Sequence, residues 1–320
     1  MIQKLADNLY TFPINFKRSP LGWLNCYVIK GTDGGRDLLV DSGFNTLHCL
    51  EDLKAGMEEL DMRAENTDAF FTHCHFDHVG NAAKLQSMGC RLLIGRQEYD
   101  FFRTAPWKNQ IDNSVKEGIP KEMIESFNIR LGMPGDFTAQ TLEEGDVLNY
   151  GGYSLRCILT PGHSPGHMCL YDPSKKLMLT GDHVLFDISP NITYIEGKDM
   201  LSDYLNSLEK VLHFDVEIAL PGHRSTGGKL FRDRVQELLR HHEKRLEETE
   251  RVVSAGDHMS AYEAASHMTW AIRANSWEDF PINQKWYATG ETLAHLAYLY
   301  NHGRLINYTD DKGLSEYRHV

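Results

Sequence analysis

The chain has 320 residues, enough for one large catalytic domain with an appendage or for two modest domains. With 41% hydrophobic and 24% charged residues it has the profile of a soluble globular protein that buries a sizeable core. A formal net charge of −12 argues against a general polyanion binder, because phosphate backbones demand clustered Lys and Arg.

The six cysteines (Cys26, Cys49, Cys74, Cys90, Cys157 and Cys169) are scattered, with no CxxC pair, and read as free thiols of a reducing compartment. The first residues lack the apolar run of a signal peptide, and no stretch approaches the ~18 apolar residues of a membrane span. A cytoplasmic protein without a membrane partner is the expectation.

Taken in chain order, short apolar runs bounded by Gly, Asp and Pro predict strands at 9–14, 26–30 and 37–41, then a helix over 46–59. A strand at 68–72, a helix over 80–87 and a strand at 91–94 follow. Residues 96–137 interrupt this rhythm with aromatic and amphipathic pieces: Tyr99, Phe101, Phe102, Trp107, Phe127 and Met133. Such an insert is either a lid over a site or packing. Strands resume at 154–160, 167–172, 176–180 and 217–220. From Gly228 the pattern turns helical: 229–253, 260–270 and 285–301, with a hairpin over 304–317. Helix, helix, helix and hairpin is the order of a winged-helix module. The expected division is therefore a catalytic domain over 1–226 and a helical domain over 227–320. Sheet mixed with helices makes the first an α/β or α+β fold.

The chemistry concentrates in Thr72-His73-Cys74-His75-Phe76-Asp77-His78, which follows an apolar strand and precedes a helix. Solvated loop histidines are the plain alternative. Three imidazoles and a carboxylate so close together are costly to justify as packing, because each needs a partner. Alternation puts His73 and His75 on one side of an extended segment, and the following turn brings Asp77 and His78 beside them. Imidazole with carboxylate suits zinc, iron or manganese, and the lack of required thiolates favours a catalytic site over a structural one. Three further candidates, His163, Asp182 and His223, each follow an apolar run at a Gly-containing turn, where αβ scaffolds present functional groups. Singly each is a turn residue; together they complete two coordination spheres.

These residues, with the Thr-Pro-Gly-His-Ser-Pro-Gly-His segment at 160–167, Thr-Gly-Asp at 180–182, Pro-Gly-His at 221–223 and Asp41-Ser42-Gly43, resemble the metallo-β-lactamase-fold superfamily, in particular its glyoxalase II-like hydrolases. The resemblance implies a four-layer αββα sandwich. It places His73, His75 and His163 on one divalent metal, Asp77, His78 and His223 on a second, and Asp182 between them. Asp41 would orient ligands from behind. His167 is expected to be structural or to support the ligands, His183 either to face the pocket or to pack, and Cys74 to be buried and inert. The C-terminal part resembles the winged-helix tail of the β-lactamase-like protein 2 group.

What the resemblance implies functionally is a hydrolase with two metals, zinc first and iron or manganese as alternatives. Its nucleophile would be a metal-bridging hydroxide, fixed by Asp77 and Asp182, attacking a thioester, lactone or other carboxylic ester of a small molecule. One alternative is an RNA phosphodiesterase, disfavoured by a tail (258–320) with five Lys or Arg against seven Asp or Glu. Another is a mononuclear iron persulfide dioxygenase. The tail itself is expected to complete a pocket wall or a homodimer interface.

Overall fold

A computed structural model describes residues 1–17, 19–104, 114–126, 133–256, 258–272 and 274–320. The chain forms two compact units. The first takes Met1–Arg103, Ile129–Pro190 and Ser207–Val235; the second takes Thr104–Asn128, Asn191–Asn206 and Gln236–Val320.

In the first unit, seven strands follow one another across a sheet: β1 (Gln3–Ala6), β2 (Leu9–Asn15), β3 (Trp23–Ile29), β4 (Asp37–Val40), β5 (Thr67–Phe71), β6 (Arg91–Gly95) and β7 (Gln140–Leu142). β1 to β4 pair antiparallel and β4 to β7 parallel. The second sheet has five strands, β8 (Val147–Tyr150), β9 (Tyr153–Leu159), β10 (Met168–Asp172), β11 (Leu177–Gly181) and β12 (Ile218–Pro221); only β11 and β12 are parallel. The predicted strands are all present. β1, β7 and β8 were not foreseen, and all three are short, part-exposed edge strands. Edge strands carry little hydrophobic alternation because little of them is covered.

Alternation sorts the central strands into two cores. Ile29, Leu38, Val40, Phe70 and Leu93 face Leu155, Cys157, Leu170, Leu179 and Leu220 between the sheets. Val28, Leu39, Ala69, Phe71 and Ile94 point the other way, onto α1 (Leu47–Glu59) and α3 (Ala82–Met88), through Leu53, Met57 and Leu85. Thr46 caps α1 by accepting from the Cys49 N–H. Over the second sheet, Ser207 and Lys210 of α6 (Met200–Val211) hydrogen-bond the carbonyls of Pro161 and Leu159, and Phe214 packs edge-on to Tyr171. The layers run helix, sheet, sheet, helix.

The insert divides. Tyr99 and Phe102, on α4 (Arg96–Arg103), join Phe137 in the core beside the first sheet, so these aromatics are packing. Met133 contributes its carbonyl to Asn45. Trp107 and Phe127 lie outside the described residues. In the second unit, Ile119 and, from α5 (Lys121–Ser126), Met123 and Ile124 cluster with Tyr262 and Trp286. That unit also holds most of α7 (Phe231–Ala255), α8 (Ala261–His267), α9 (Ile282–Asn301) and the hairpin β13 (Leu305–Thr309) to β14 (Ser315–His319). α9 starts ahead of the predicted 285, with Pro281 at its N-cap. His242 and His295 are buried there and bond each other, Nδ1 to Nε2 at 3.2 Å. Both lie within helices and pack inside this unit.

Candidate metal centre

Five strand ends build the site, and topology puts them on one edge. Asp41 follows β4 and His73 follows β5, and those strands are parallel. His163 follows β9, Asp182 follows β11 and His223 follows β12. β9 and β11 are each antiparallel to β10, so both run the same way, and β12 is parallel to β11. The two sheets are joined at this edge. The Asn25 N–H donates to the Gly222 carbonyl at 2.8 Å, and the Tyr27 hydroxyl to the Pro221 carbonyl at 2.9 Å.

All seven predicted ligands converge. His73, His75 and His163 form one group and Asp77, His78 and His223 another, while Asp182 groups with His73 and His78. His73 Nε2 lies 3.0 Å from His75 Nδ1 and 3.2 Å from His163 Nε2. In the second group His78 Nε2 and His223 Nε2 are 3.3 Å apart, and His223 Nε2 is 3.2 Å from Asp77 Oδ2. Asp182 Oδ2 is 3.7 Å from His163 Nε2 and 3.4 Å from His223 Nε2, so its carboxylate stands between the groups. Asp77 and His78 occupy the short helix α2 (Phe76–Val79), whose first turn swings them beside the extended His73–His75 segment.

The surroundings fix which ring nitrogens face inward. Asp41 Oδ2 is 2.8 Å from His78 Nδ1, and the Trp23 carbonyl is 2.8 Å from His223 Nδ1. Each oxygen accepts a hydrogen bond from Nδ1–H, so in the neutral imidazole it is Nε2 that carries the lone pair. Two such lone pairs 3.3 Å apart repel unless a proton or a metal ion lies between them. Asp182 Oδ1 is buried with no hydrogen-bond donor among the described residues. A buried acceptor in that state is costly, and a cation relieves it. The donor set of imidazole and carboxylate therefore fits divalent metal ions.

The protonation tendencies of the bare site say the same. Burial alone would push His78 down, yet Asp41, Asp182 and Asp77 outweigh it and hold His78 well above the usual imidazole range. Burial likewise opposes charge on His223, but Asp182 and Asp77 raise it to about 10. Against burial, His78 and His223 hold Asp77 down at about 2. The carboxylates demand positive charge, and protons supply it where metal does not. For His73 the balance is reversed: burial, then the neighbouring histidines, outweigh Asp182 and push it well below its usual value.

Residues around the candidate ligands pack and hydrogen-bond as follows. Asp41 accepts from both the N–H and the hydroxyl of Thr72, each at 2.9 Å. His167 is buried, bonded to the Thr160 hydroxyl at 2.8 Å, and accepts the Asp182 N–H at 3.2 Å. His183 is fully buried, and burial lowers it to about 3. Burial, then the nearby Glu98 carboxylate, push the Cys74 thiol up, so it is inert at neutral pH. Sequence reasoning missed Thr72, Thr160 and above all Glu98, a fully buried carboxylate on α4. Its one sequence signal is weak: it lies four residues before Phe102, on the apolar side of an otherwise charged helix.

The profile of the family described as the Metallo-beta-lactamase superfamily matches residues 24–223. The human acyl-coenzyme A thioesterase MBLAC2 is 28% identical over 248 residues, covering 72% of this chain and 84% of that protein. The atrochrysone carboxyl ACP thioesterase of Aspergillus fumigatus is 28% identical over 199 residues, 62% of this chain and 50% of that one. Among solved structures, a metallo-beta-lactamase family protein from Thermus thermophilus superposes with a TM-score of 0.80 at 26% identity, covering 99% of this chain and 100% of that one.

Proposed function

Since the chain belongs to the metallo-beta-lactamase superfamily, we propose that it is a two-metal hydrolase of acyl thioesters, of the coenzyme A or carrier-protein class. The observation that carries the two-metal part is the buried Asp182 carboxylate, with Oδ2 3.7 Å from His163 Nε2 and 3.4 Å from His223 Nε2. It is shared between two complete groups of ligands.

His73, His75 and His163 would hold one ion, Asp77, His78 and His223 the other, and Asp182 both. Zinc suits this donor set best, with iron and manganese as alternatives. When bound, two such ions supply water of lowered pKa and positive charge for an acyl oxygen. The chain's own groups do the rest. Asp41 and the Trp23 carbonyl hold His78 and His223 in the tautomer that presents Nε2. Asp77 is buried but keeps its side chain 13% accessible, and would orient the attacking water by accepting its hydrogen bond. The water oxygen joins the acyl carbon, the carbon–sulfur bond breaks, and a carboxylic acid and a thiol leave without a covalent enzyme intermediate.

The thioester class rests on the thioesterase relatives. A substrate panel with metal analysis is the test. The expected result is about two divalent ions per chain and turnover of acyl thioesters ahead of lactones, phosphodiesters and RNA. Exclusive phosphodiester cleavage, or one iron with oxygen consumption on a persulfide, overturns the proposal.

A further inference from the structure

The two loops that carry the first group of ligands meet on one buried carboxylate. Glu98 sits in the first turn of α4 and is fully buried. Its Oε1 accepts the Cys74 N–H at 2.7 Å, between His73 and His75. Its Oε2 accepts the Gly166 N–H at 2.6 Å, in the loop that carries His163 and His167. The approach is close on the backbone side too: a Cβ on Gly166 would lie 2.3 Å from the Glu98 nitrogen. The chain therefore needs glycine there for that loop to reach the helix. Charge-assisted bonds to backbone N–H groups are short and strong, and the helix N-terminus favours the negative charge.

We propose that Glu98 is a positioning residue that sets the span between the 73–75 and 163–167 loops, and so tunes one metal site selectively. The selectivity follows from which loops each site uses. His73, His75 and His163 straddle both loops that Glu98 ties. Asp77, His78 and His223 take nothing from the 163–167 loop; their partner is the turn after β12. Glutamine at 98 keeps the shape but offers one carbonyl oxygen, so one backbone N–H meets an NH2 group instead. Aspartate keeps the charge but is one methylene short of reaching both loops.

This inference rests on the two-metal reading, and the experiment separates the two. Native protein, Glu98→Gln, Glu98→Asp and the exposed control Gln97→Ala are loaded with zinc and titrated with a chromophoric chelator, and metal-free melting is recorded for each. The native chain and Gln97→Ala are expected to release two ions. In Glu98→Gln one of the two is expected to leave roughly 10- to 100-fold more readily, the loss typical of outer-shell partners, while the other is unchanged. Metal-free melting is expected to fall in Glu98→Gln, because a buried N–H then faces an NH2 group; loss of one ion and not the other is the readout a merely structural role would not give. Glu98→Asp carries the test if the glutamine variant does not fold. Unchanged release of both ions, or equal weakening of both, overturns the proposal while leaving the two-metal reading intact. A native chain that binds no zinc overturns both.

Discussion

Oδ2 of Asp41 lies 2.8 Å from Nδ1 of His78, with both side chains almost completely buried. Asp41 has a left-handed backbone, φ 62°, at the end of β4, and the same carboxylate takes the Thr72 N–H and hydroxyl. One residue thus orients an inner ligand and secures the start of the ligand loop.

Asp41→Asn is the cleanest probe of that arrangement, because Asn also tolerates the left-handed region. The amide has one acceptor oxygen where three donors converge, so His78 loses the partner that keeps its proton on Nδ1. The expected outcome is roughly 10- to 100-fold weaker metal retention, with circular dichroism unchanged. Chelator titration checks it, and native-like retention would contradict the tautomer argument.

His75→Ala and Asp182→Asn remove inner ligands, so their effect on turnover should exceed the ~100-fold typical of outer-shell changes. Exhaustive chelation should do the same to the native chain, and added divalent metal should restore it. Retention of full turnover in either variant, or in the metal-free chain, would sink the metallohydrolase reading.

In the second unit, burial raises Glu117 to about 7, against lowering by the Ser315 hydroxyl and Lys116; Tyr194 and Tyr317 lie close by. The folded state then holds this proton at pH values where the unfolded chain has released it. Stability should fall as pH rises from about 4.5 to about 7, by a few kcal/mol at most, and level off above. Glu117→Gln should remove this dependence and melt higher than the native chain at pH 8. Parallel pH–melting curves for the two proteins would refute it.

Gly56 lies inside α1, where alanine ordinarily stabilises by about 1 kcal/mol. Here a Cβ would sit 2.4 Å from the Phe12 ring. Overpacking of this kind costs about 1–3 kcal/mol, so Gly56→Ala should lower the melting temperature by a few degrees. A rise in melting temperature would show that α1 shifts freely on the sheet.

Much of this was legible in the residues because metal chemistry needs particular side chains and short spacings. His73, His75, Asp77 and His78 lie within six positions, and His163, Asp182 and His223 each follow a strand at a glycine turn. Central strands such as β4 and β5 announced themselves because both faces are buried and the run is unbroken. Tyr99 and Phe102 were ambiguous, since an aromatic on an amphipathic helix has the same pattern whether it covers a site or fills a core. Packing against Phe137 decided it.

The kinds of candidate ligand, their order and the strand ends that carry them follow from local pattern and can be read along the chain. That five strand ends share one edge, that Asp182 stands between the two groups, and that Glu98 joins the loops bearing His73 and His163 comes from the folded arrangement alone. Those facts depend on pairings between residues from 24 to 200 positions apart. Local periodicity has no reach over such distances; sheet register and burial do.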